Sequence, residues 1–121
     1  MDNSLSASGA DGLHRYLDRA EVLQAVVDQL RKDLSVSEEE LPLPKLSEKT
    51  FDLLSATVLP VLQDLQVADG HALQVAMYRV DIPEAHLRRT MGHGGLSGLA
   101  DEVVLRALQK VLTRLRYAGR F

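Results

Sequence analysis

The chain has 121 residues, a net charge of −3, an apolar fraction of 45% and no cysteine. That length suits one domain burying roughly two-thirds of its unfolded surface, and the missing thiols exclude disulfides, thiol catalysis and zinc–cysteine sites. Aromatic residues make up only 4% of the chain, so the core must be aliphatic, and Leu and Ala lean toward helix. No stretch approaches about 18 consecutive apolar residues, and residues 1–12 lack the basic start and apolar run of a signal peptide. The expected location is therefore the cytoplasm, with no membrane partner.

Residues 1–10 are small and polar and read as a disordered tail, with 11–121 as a single helical-bundle domain. Asp11 is a suitable N-cap. Leu13, Tyr16, Ala20, Leu23, Val27, Leu30 and Leu34 then recur at spacings of three and four, which predicts one amphipathic helix of roughly six turns. Leu17 and Val26 widen its stripe beyond a coiled-coil seam, as suits a bundle. Pro42 and Pro44 end the pattern. Glu38 to Glu40 read as a solvated loop or one helical turn, and Leu41, Leu43 and Leu46 are expected to pin this connection to the core.

Ser47 is a good cap for a second helix through Phe51, Leu54, Val58, Val61 and Leu65. Pro60 should kink or break it, and Gly70 should end it. Residues 71–80 carry Leu73, Ala76, Met77 and Val80 on one side and predict a short helix. A strand over 73–82 is the alternative. Asp81, Pro83 and Glu84 form a helix-start signal for a segment ending near Met91. Gly92 to Gly98 hold four glycines in seven positions and read as a loose linker. Ser97 is then expected to cap a last helix to about Tyr117, with Ala100, Val104, Ala107, Leu108, Val111 and Leu115 inward. Asp101 and Glu102 at its start and Arg114 and Arg116 at its end match the helix dipole, and Gly119 is a suitable stop. The result is an all-α, compact bundle of four to five helices with two long helices near the termini.

Charge is divided unevenly, acidic over residues 1–70 and basic over 71–121, with no acid from 103 onward. Either the halves neutralise each other on packing, or the C-terminal part offers a basic face. Arg106, Lys110 and Arg114 lie four apart on one line of the last helix, and Arg116 extends the charge. These four are the candidate anion or partner contacts. The histidines do not pair at ligand spacing, no GxSxG elbow or GK[ST] is present, and Ser47 and Ser97 read as caps. No catalytic, cofactor or metal residues are therefore assigned. The Gly92–Gly98 segment could cradle an anion at a helix start but lacks the strand of a dinucleotide loop.

The segment Tyr78-Arg79-Val80-Asp81-Ile82-Pro83-Glu84, followed by residues 99–117, resembles the C-terminal half of certain small uncharacterised bacterial all-helical proteins. The resemblance spans about a third of the chain and implies only a compact helical bacterial protein, with no activity attached. The function expected is a non-enzymatic protein–protein interaction module, binding a protein partner or itself. The alternative is a nucleic-acid-binding accessory protein using the basic last helix.

Overall fold

The computed structural model describes residues 12–119. The expected tail over 1–10 and the Asp11 cap lie outside the described residues. Within them the protein is helical, without strands. Helical residues 12–14 lead into a short 3₁₀ helix, Arg15–Asp18, and five α-helices follow: α1 (Ala20–Leu34), α2 (Thr50–Ala68), α3 (Gly70–Val80), α4 (Glu84–His93) and α5 (Gly95–Tyr117), six named helices where four to five were expected. One aliphatic core draws on all of them. Helix α5 is its axis, packed along α2, α1 and α4, while α3 closes the remaining side against α2 and α1. Its buried positions, Leu99, Ala100, Val103, Val104, Ala107, Leu108, Val111 and Leu112, form two adjoining rows. A stripe that wide lets one helix serve three neighbours.

The long first helix predicted from periodicity is interrupted. Arg19 is extended (φ −93°, ψ 125°) between the 3₁₀ helix and α1. The break keeps Leu17 buried while Leu13 and Tyr16 pack from the side. The two longest helices are α5 and α2, so only one of them lies near a terminus. In the connection after α1, Ser37 and Glu40 cap each other reciprocally and close a single turn. Only Leu41 is buried there; Leu43 and Leu46 remain about half exposed, contrary to expectation. The Leu41 carbonyl accepts from Arg31 Nε at 3.0 Å, which fixes the pin.

Helix α2 starts three residues later than Ser47. That serine instead closes the preceding turn, its Oγ accepting from the Lys49 amide while Thr50 Oγ1 donates to its carbonyl. Pro60 does not end α2, which continues to Ala68 with the proline on its exposed face. The helix stops at Asp69, one residue before the predicted Gly70. Asp69 is extended and its carboxylate accepts from the His71 amide at 3.0 Å, so it caps α3.

Residues 71–80 are helix, and the strand alternative is excluded. Asp81 does not cap α4. It sits in the left-handed region (φ 73°), its amide donating to the Tyr78 carbonyl and that of Ile82 to Met77. These bonds form a Schellman closure of α3, with Ile82 and Met77 both buried in the core. Ser35 (φ 57°) closes α1 the same way, through Ser35 to Lys32 and Val36 to Arg31.

The Gly-rich segment is no linker. Helix α4 runs to His93, Gly94 alone separates it from α5, and Ser97 lies inside α5. Gly95 takes φ +61°, and a Cβ on Gly94 would stand 3.1 Å from the Gly98 Cα. The glycines permit a tight reversal between two helices. Asp101 and Glu102 consequently fall beyond the first turn of α5. They cross-link it instead: Asp101 accepts from Ser55 of α2, and Glu102 contacts His86 of α4 at 3.0 Å.

Candidate functional site

Lys110 stands at a junction of helix ends. Its ammonium donates to Asp33 Oδ2 at 2.9 Å and to the Arg79 carbonyl at 2.8 Å. A second carboxylate, Asp81, lies 3.8 Å away. Asp33 is in the last turn of α1 and Arg79 in the last turn of α3, so the lysine's charge meets the negative ends of two helix dipoles. The side chains of Lys110 and Asp33 are 17% and 9% exposed. The same cluster ties α1 to α3 directly, as Arg79 donates to Ser35 Oγ at 2.9 Å. Lys110 thus anchors α5 to α1 and α3 and is not a free surface cation.

Around this anchor lies a cleft of about 360 Å³ lined by Gln29, Lys32, Arg106, Lys110, Thr113 and Arg114. Arg106 reaches Asp81 at 3.7 Å and donates to Gln109 at 3.2 Å. Arg114 donates to the Gln29 side-chain carbonyl, and the Gln29 amide donates to Asp33 Oδ1 at 3.0 Å. The structure therefore brings Arg106, Lys110 and Arg114 to one cleft. Arg116 departs from it, two residues beyond Arg114 and so about 200° further round the helix. It lines a separate groove with Leu13, Tyr16 and Leu112.

A second feature lies between α3 and α4. His71, Gln74, Val75 and Tyr78 recur along one face of α3 and, with Ile82, Glu84 and Leu87, enclose an apolar groove of about 260 Å³. Tyr78 stands at its rim, 82% exposed, and borders a neighbouring hollow beside Asp81 and Pro83.

No family model matches this chain, and no curated protein or solved structure matches it either. The chemistry therefore rests on the side chains themselves. His14 stacks on Phe51 with ring centroids 3.7 Å apart. His86 bridges Glu102 and, at 3.4 Å, Arg89. Among the described residues no group of three or more His, Asp and Glu is arranged to hold a metal ion. No described helix is long and apolar enough to cross a membrane. In the Gly92–Gly98 segment the helix start considered for an anion is Gly95, reached through a tight turn at Gly94 and not an open loop.

Sequence reasoning missed Asp33, Gln29 and Lys32 as neighbours of the basic line, and missed the α3–α4 groove. A signal for the first existed. Asp33 follows Val26 and Leu30 at inward spacing, and Lys110 follows Val103 and Ala107 in the same way. An acid and a base in core register on different helices are candidates to meet. The groove had no such signal, since Tyr78 and Ile82 become neighbours only through the Asp81 turn.

Proposed function

We propose that the protein is a non-enzymatic interaction module that docks through the α3–α4 face, and that the occupant of this face is a second copy of the chain. The observation that carries the reading is the exposed Tyr78 beside the apolar groove lined by Val75, Ile82 and Leu87. Aromatic residues that remain exposed next to an apolar hollow are characteristic anchors of protein interfaces. A groove of about 260 Å³ lies below the range of roughly 300–1,000 Å³ usual for small-molecule pockets, and suits one inserted side chain.

A knob and a hole on one face satisfy the requirement of a two-fold contact, in which the same patch serves both partners. The charges also suit it. Among the described residues that line the groove, the acid is Glu84, beyond the C-terminal turn of α3, and the imidazole is His71, in its first turn. An antiparallel pairing of two α3 helices sets His71 of each copy toward Glu84 of the other, while uncharged Gln74, Val75 and Tyr78 occupy the centre.

Sedimentation at high micromolar concentration tests this. The expected result is a dimer whose population falls on dilution, and a Tyr78→Glu variant that is monomeric with the melting temperature of the dilute parent. Tyr117, equally exposed at the end of α5, supplies the control: Tyr117→Ser should leave the dimer intact. A monomeric parent, or a dimer indifferent to Tyr78→Glu, overturns the reading.

A further inference from the structure

The cleft between α1 and α5 gathers more positive charge than its ion pairs neutralise. Four of its six lining residues, Lys32, Arg106, Lys110 and Arg114, are cations, and none is an acid. The two nearby carboxylates account for only part of this charge. Asp33 is committed to Lys110, and Asp81 lies 3.7 Å from Arg106 and 3.8 Å from Lys110. Lys32 and Arg114 have no ion pair among the described residues. They come from different helices, α1 and α5, so no single helix surface explains their meeting.

The guanidinium of Arg114 is also held in place. A chain of hydrogen bonds runs from Arg114 to Gln29, from Gln29 to Asp33, and from Asp33 to Lys110. The neutral Gln29 amide positions Arg114 without cancelling its charge. Its bond engages Nη1 alone, and a guanidinium has five N–H donors. The remaining donors can engage an oxyanion on two oxygens at once, the geometry in which arginine excels over lysine. Lys32 adds an exposed point charge at the rim.

We infer that this cleft is a binding site for the phosphate group of a small phosphorylated molecule, with Arg114 as the bidentate contact, Lys32 and Arg106 as flanking cations and Lys110 as the fixed base of the site. A phosphate suits it better than a carboxylate. Its several anionic oxygens diverge tetrahedrally, so one group can face cations on both walls. This site is separate from the α3–α4 docking face and does not depend on it.

The test is a titration of the full chain with inorganic pyrophosphate, followed by amide chemical shifts, with sodium chloride at matched ionic strength as reference. Saturable shifts at Gln29, Lys32, Thr113 and Arg114 are expected, absent with chloride. The double variant Lys32→Gln with Arg114→Gln should weaken binding at least about tenfold, the loss of two charge-assisted contacts. Both side chains are exposed at the rim, so folding should be retained. Removing two remote charges, Lys45→Gln with Lys49→Gln, should leave affinity unchanged. Shifts that follow ionic strength alone, or that survive the double variant, overturn the proposal. So does a single-stranded oligonucleotide whose footprint extends beyond the cleft to Arg116 and which pyrophosphate fails to displace. That result would assign the surface to a polynucleotide backbone.

Discussion

Replacing Lys110 by methionine separates a buried anchor from an ornamental surface bridge. Methionine keeps an unbranched stem and removes the ammonium. It strips Asp33 Oδ2 of its 2.9 Å partner and the Arg79 carbonyl of its 2.8 Å donor. Asp33, only 9% exposed at its side chain, is then left with the Gln29 amide on its other oxygen. Breaking a buried pair by removing one partner costs about 3–5 kcal/mol. The remaining Gln29 bond and the residual solvent path reduce this, and a loss of about 2–4 kcal/mol is expected. In a domain whose total stability is about 5–15 kcal/mol the variant should still fold, melting roughly 10–15 °C lower. Urea denaturation is the assay. The midpoint should fall with the slope unchanged, as for a loss of stability without a change in surface exposed. Adding Asp33→Asn removes the stranded charge, so the double variant should be more stable than Lys110→Met alone. A loss under about 1 kcal/mol would place the pair among exposed bridges and refute the reasoning, as would strictly additive effects in the double variant.

Two further outcomes follow from backbone geometry. Ser35 occupies the left-handed region at φ 57°, which glycine enters freely and β-branched residues resist. Both variants lose the acceptor for Arg79, so Ser35→Gly, which gains only backbone freedom, should be near neutral and Ser35→Val clearly destabilising, with a gap of about 2 kcal/mol between them by thermal melting. Equal stabilities would contradict the observed closure of α1. At the α4–α5 reversal, Gly94→Ala places a Cβ 3.1 Å from the Gly98 backbone and should cost about 1–2 kcal/mol. Gly92→Ala meets nothing within 4 Å inside α4 and should gain up to about 1 kcal/mol. If the two alanines behave alike, the segment is the loose linker its composition suggested.

The Ser35 and Gly94 cases show where local reading reaches its limit. Apolar spacing located the helical stretches but ran the 3₁₀ helix and α1 together, because inward positions on a helix must recur with its winding whatever the partner. Helix ends were read less well. Asp81 has the composition of an N-cap, yet it closes the helix before it; the same side chain tolerates both conformations, and the burial of Ile82 in the core selects one. Four glycines suggested slack, but glycine is equally the residue of close approach, and only the neighbouring backbone distinguishes the two uses. In the basic line, Arg106, Lys110 and Arg114 were correctly placed on one face of α5. Their inequality was invisible, since it depends on Asp33, Asp81 and Gln29 arriving from elsewhere.

By itself the sequence determined an all-helical chain with an aliphatic core, and named many but not all of the residues facing inward (Ala20, Leu43 and Leu46 are exposed), because helical periodicity depends on contacts within a few turns. Tertiary structure decided which charges are neutralised and which remain available. Electrostatic pairing acts through space between residues as remote in the chain as Asp33 and Lys110, and no local pattern specifies that they meet.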